Sequence, residues 1–68
     1  MKNFIKIERA RRNMTQAELA EQVKVARQTI IAIEAGKFVP STLLAFKMAS
    51  TLRCKTDDLF ELEQHDWS

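Results

Sequence analysis

One glycine and one proline in 68 residues constrain this chain more than any other feature of it. Short strands joined by tight turns consume both residue types, because left-handed positions and preset corners ask for them. A chain with only Gly36 and Pro40 is therefore expected to be built of helices. Length sets the second constraint. At roughly 100–200 residues per domain, 68 residues make one small domain, residues 1–68. Chains below about 70–80 residues usually need a disulfide, a metal or a partner chain to hold a fold. The lone Cys54 excludes an internal disulfide. Cys54 and the lone His65 together cannot supply a four-ligand Cys/His zinc site. Self-association is left as the favoured staple.

Apolar residues make up 46% of the chain and charged residues 29%, which is the balance of a folded domain rather than a disordered one. No apolar run approaches the ~18 residues of a membrane span, and no apolar stretch follows the N-terminal charges as in a signal peptide. A cytoplasmic location is the expectation. The net charge of +2 conceals an asymmetry. All 11 Lys and Arg lie in residues 1–55, opposed there by Glu8, Glu18, Glu21 and Glu34 alone. Residues 56–68 carry Asp57, Asp58, Glu61, Glu63 and Asp66 and no cation. A basic body with an acidic tail suits a polyanion on one side of the molecule.

The chain divides into short helical stretches. The first runs from about Phe4 to Arg12, and Asn13 tolerates the left-handed conformation that ends it. Thr15-Gln16-Ala17-Glu18 reads as a capping box that opens the second. Leu19, Ala20 and Val23 form its apolar face, and Lys24-Val25-Ala26 breaks it. A third stretch, Arg27 to Ala35, has Ile30 and Ile33 on one face, and Gly36 supplies its left-handed end. Lys37-Phe38-Val39-Pro40 is a loop. Ser41 caps a fourth helix to about Leu52, with Leu44, Ala45, Met48, Ala49 and Leu52 as its apolar stripe. Thr56–Leu59 makes a fifth, very short turn, with Asp57 and Asp58 suited to its N-terminus. Phe60 and Leu62 then alternate with Glu61 and Glu63, which permits a short strand, pairing with Met1–Phe4.

Two helices joined by a tight turn at residues 24–26 form a helix-turn-helix candidate over about residues 16–35. Ala20 is small where the two helices must approach. The apolar Leu19, Val23, Val25, Ile30 and Ile33 face the rest of the domain. That arrangement leaves Arg27, Gln28, Ile31 and Ala32 on the outer face of the third helix, where side chains reach base edges in a major groove.

The ordered set Thr15-Gln16-x-x-Leu19-Ala20, Arg27-Gln28-Thr29-Ile30-x-x-Ile33-Glu34-x-Gly36-Lys37, Pro40-Ser41 and Asp57-Asp58-Leu59-Phe60 resembles the Cro/CI-type (XRE) helix-turn-helix family. The resemblance covers residues 3–60. It implies an all-α, five-helix, Cro/CI-like fold. It also implies a sequence-specific double-stranded DNA-binding regulator, by default a repressor, acting as a homodimer on a palindromic operator. Arg27 and Gln28 would then read guanine and adenine, with Ile31 and Ala32 beside them. Thr15, Gln16, Lys24, Thr29 and Lys37 would meet the DNA backbone. Arg9 and Glu34 occupy the places of an ion pair between the first and third helices.

Three departures stand out. Asn13, Lys24 and Arg53 fall where family members often have Gly, so a left-handed Lys24 would be strained by roughly 1–2 kcal/mol. Ala26 stands where Ser or Thr often caps the third helix, which forfeits about 1 kcal/mol. Glu8 falls where an apolar residue is common.

Some residues admit more than one reading. Ile31 either meets a thymine methyl or is an ordinary exposed apolar residue. Cys54 reads as a small buried apolar residue, and His65 as an exposed tail residue without ligand partners. Trp67 docks on the domain, docks on a second subunit, or hangs free. Leu59, Phe60, Leu62 and Trp67 are the expected dimer interface, with 61–68 as a dimerisation element. No catalytic set, metal site, cofactor, membrane or small-molecule ligand is expected. The alternative function is a protein-interaction module such as an antitoxin or adaptor.

Overall fold

The computed structural model describes all 68 residues, Met1–Ser68. Strand β1 (Lys2–Asn3) leads into helices α1 (Ile5–Arg11), α2 (Gln16–Val23), α3 (Arg27–Glu34), α4 (Thr42–Thr51) and α5 (Thr56–Leu59). Strand β2 (Phe60–Glu61) and a 3-10 turn over Gln64–Trp67 follow. The two strands pair antiparallel, Lys2 opposite Glu61 and Asn3 opposite Phe60. This is the five-helix Cro/CI-like architecture with a terminal strand pair. No helix is long and apolar enough to cross a membrane.

Local chemistry accounts for the helix starts. The Thr15 hydroxyl accepts the Glu18 amide at 3.0 Å, and the Glu18 carboxylate accepts the Thr15 amide at 2.8 Å. That reciprocal box satisfies two helix-end donors. The Thr15 backbone N–H, with its hydroxyl beside it, holds the Glu18 carboxyl below its ordinary range, against a smaller opposing effect of burial. Ser41 takes the Leu44 amide at 3.1 Å to open α4. Ala26 does nothing of the kind for α3.

The helix ends share one device. In α1 to α4 an amide reaches back five residues: Met14 to Arg9, Val25 to Ala20, Lys37 to Ala32 and Cys54 to Ala49, all at 2.9–3.0 Å. Such a closure needs a left-handed residue just before the donor. Asn13, Lys24, Gly36 and Arg53 hold it at φ 50°, 61°, 76° and 55°. Only Gly36 does so without crowding its own Cβ; the Lys24 backbone bears the strain foreseen for it, and Asn13 and Arg53 bear the same kind.

Twelve apolar residues form one core, among them Ile5, Leu19, Val23, Ile30, Ile33, Met48, Leu52 and Leu59. This corrects part of the expected dimer interface. Leu59 is 0% exposed and Phe60 8%, so both are used up inside this chain and are not free to face another. The strand pairing is the cause, because it folds residue 60 back against the body beside β1. Leu62 and Trp67 remain exposed. Cys54 is half-buried rather than buried, and that burial pushes its thiol pKa up, helped by the Glu8 carboxylate. Glu8 sits nearly buried in its apolar position because Arg11 and Arg12 reach it at 3.1 and 2.9 Å. The tail is not free: the Met1 amine bonds Glu63 at 3.2 Å and Asp66 at 3.3 Å. Trp67 does not pack on its own domain and is 76% exposed.

Candidate nucleic-acid interface

The α2–turn–α3 unit is assembled by burial on one side and by polar contacts on the other. Ala20 is buried at the α2–α3 approach, and the half-buried Val25 packs on the core from the turn. With Ile30 and Ile33 inside, the geometry of a 3.6-residue period turns Arg27, Gln28 and Ile31 outward. All three are exposed, while Thr29 and Ala32 are half-buried at the edges of that face. Thr15, Lys24 and Lys37 are exposed, and Gln16 is half-buried.

The position of α3 is set by a buried ion pair. Arg9 from α1 donates to both Glu34 oxygens, through Nε at 2.7 Å and Nη2 at 3.1 Å. Its remaining Nη1 donates to the Met14 carbonyl at 2.9 Å. Both side chains are nearly buried, so the pair is worth its desolvation only because its hydrogen bonds are complete. The pairing that the family resemblance implied is present.

Two members of this network were not foreseen. Gln16 Nε2 donates to Glu34 Oε1 at 3.1 Å, and Gln16 Oε1 accepts from Arg27 Nη2 at the long distance of 3.5 Å. Gln16 therefore links the ion pair to the first side chain of α3. Asn3 Nδ2 donates to the Ile33 carbonyl at 3.0 Å, which satisfies the C-terminal end of α3 from the β1 strand. A polar residue one step after the helix-capping Thr15 was the only sequence signal for the first. The second had none, because Asn3 and Ile33 are thirty residues apart.

Glu63, His65 and Asp66 bring ligand-type atoms within 4.8 Å of one another on the exposed tail. Their carboxylates already hold the Met1 amine, and such an exposed acidic group makes no metal centre by itself.

A buried-sided helix presented by a tight turn, with a basic and amide-bearing outer face, defines a class of protein. The sequence profile of the helix-turn-helix family matches residues 5–59, spanning α1 to α5. The chain belongs to that family, in its Cro/CI (XRE) branch of DNA-binding transcription regulators. It is 50% identical over 66 residues to an uncharacterized HTH-type transcriptional regulator of Methanocaldococcus jannaschii, covering 97% of this chain and 100% of that one. It is 47% identical over 66 residues to the HTH-type transcriptional regulator YgzD of Bacillus subtilis, with the same coverage. A relative from Archaeoglobus fulgidus is 44% identical over 97% of this chain and 93% of its own.

Proposed function

We propose that this chain is a cytoplasmic, sequence-specific double-stranded DNA-binding repressor that acts as a homodimer on a palindromic operator. The observation that supports this reading is the outward presentation of Arg27 and Gln28 from the first turn of a helix fixed by the Arg9–Glu34 pair. Arg matches the O6/N7 edge of guanine, and Gln the N6/N7 edge of adenine. Ile31, with Ala32 beside it, offers an apolar surface to a thymine methyl. Thr15, Lys24, Thr29 and Lys37 contact phosphates. Gln16 keeps a second amide hydrogen for a phosphate while the first holds Glu34. The whole of 1–68 acts as one unit, with residues 61–68 contributing to the dimer. Binding then represses by covering a promoter.

Selection of bound sites from random duplexes tests this reading. The expected outcome is a palindrome whose half-sites lie about one helical turn apart. The affinity should also fall steeply with salt and keep a sequence-dependent part. Recovery of no consensus, with equal affinity for all duplexes, would overturn it.

A further inference from the structure

The outer face of α4 carries two large apolar side chains with nothing over them. Leu43 and Phe46, one turn apart, are 66% and 60% exposed. They line one open hollow with Lys24 and Lys47, and Phe46 continues into a second with Lys55. No acidic residue lines either hollow. The tail offers the converse surface. Leu62 and Trp67 are exposed there among Glu61, Glu63 and Asp66, three carboxylates met by only two cations, the Met1 amine on Glu63 and Asp66 and Lys2 on Glu61.

Two tails packed on each other would make a poor interface. Leu59 and Phe60 are already spent in the core. The three carboxylates of each copy, only partly offset by the Met1 amine and Lys2, would meet their own kind across the two-fold axis, which like-charge repulsion disfavours. An apolar pair rimmed by lysines and an apolar pair rimmed by carboxylates are complementary instead. We infer that the tail of one copy, through Leu62 and Trp67, docks on the Leu43–Phe46 face of α4 in a second copy. This rests on the homodimer reading above and says where the two chains meet. Glu61 and Glu63 lie against Lys47 and Lys55, and a two-fold axis makes the contact twice.

Trp67 is the only tryptophan, so it reports on its own docking. Its emission should shift to the blue, and iodide quenching should fall, over the same dilution range in which sedimentation shows the mass doubling. Phe46→Glu should abolish all three changes while melting like the wild type at dilutions where both are monomers, because Phe46 is outside the core. Lys47→Glu should weaken the dimer at least about fivefold, and adding Glu63→Lys should restore it. Affinity for a duplex carrying a single half-site should be unchanged in Phe46→Glu. If the wild type dimerises while Trp67 emission stays constant and Phe46→Glu dimerises equally well, the docking is overturned and the homodimer stands. A wild type that is monomeric at every concentration removes the homodimer reading and the docking with it. Loss of single half-site affinity in Phe46→Glu would assign the α4 face to DNA and overturn the docking.

Discussion

Helices α3 and α4 are built on the same plan and turn opposite kinds of surface outward. Each buries one apolar stripe, Ile30 and Ile33 in α3, Ala45, Met48 and Ala49 in α4. Outside, α3 shows Arg27, Gln28 and Ile31, whereas α4 shows Leu43 and Phe46 between lysines. Their anchoring differs as well. Glu34 at the end of α3 is held by Arg9 and Gln16, and Asn3 takes a carbonyl there. Side-chain bonds to α4 are limited to the Ser41 cap at its start. Polar anchoring is directional, so it fixes the rotation and placement of α3 in a way that apolar burial, which is non-directional, does not. A helix that reads bases needs that placement, because hydrogen bonds to base edges tolerate little displacement. A helix whose task is to be covered by another protein surface does not.

The largest expected effect removes the directional anchor. Arg9→Ala should destabilise the fold by about 3–5 kcal/mol, since it strands the nearly buried Glu34 carboxylate. Arg11→Ala, whose side chain is largely exposed, should cost within about 0.5 kcal/mol. Urea unfolding of the two variants measures the difference, and equal midpoints would show that α3 is not polar-anchored. Next in size comes the outer surface of α3. Arg27→Ala should lose about 1–3 kcal/mol of discrimination between the selected operator and a variant base pair, with stability unchanged. Phe46→Ser on α4 should leave that discrimination alone. Competition binding with the two duplexes reads both.

How much of this contrast was legible in the sequence depends on the range of the interaction. The Thr15 and Ser41 caps, the left-handed Asn13 and Gly36, and the stripes of α2 to α4 were all visible, because they depend on neighbours within five residues. The Arg9–Glu34 pair came only through the family resemblance, since nothing local links residues 25 apart. Gln16 and Asn3 escaped for the same reason: their partners are set by how α1, α3 and β1 come together. Leu59 and Phe60 failed differently. Alternation correctly suggested a strand at residue 60, but period alone cannot say whether an apolar face closes on its own core or on a second chain. The β1–β2 pairing decided that.

The helix ends sharpen the comparison at about 1 kcal/mol each. Ser41→Ala should weaken the fold by about 1 kcal/mol, and Ala26→Ser should strengthen it by a similar amount. The Ala26 backbone already lies at φ −68°, ψ 149°, the extended geometry that a capping residue adopts. At the C-terminal ends the signs reverse. Gly36→Ala should cost about 1 kcal/mol from backbone strain alone, because nothing lies within 4 Å of the added Cβ. Arg53→Gly, after α4, should relieve a comparable strain and raise the melting temperature. If Arg53→Gly melts lower, the Arg53 side chain contributes more to the fold than its backbone costs it.

The smallest effect separates two caps by pH. The α2 cap contains a carboxylate, Glu18, and the α4 cap has Leu44 in the corresponding place. Glu18 titrates below its ordinary value of 4.5 in the folded protein, held down by the Thr15 backbone N–H. A carboxyl whose folded pKa is depressed adds stability that is fully present above its unfolded pKa and is lost as pH falls through the folded one. Glu18→Gln should therefore melt below the wild type at neutral pH, and the gap should close as the pH drops through the region below 4.5. Ser41→Ala changes no titrating group, so its deficit should persist unchanged over the same range. Thermal melts of the three proteins from neutral to acid pH make the measurement. A Glu18→Gln deficit that stays constant into acid would mean the box acts through its hydrogen bond alone, and that α2 and α4 are capped by the same physics.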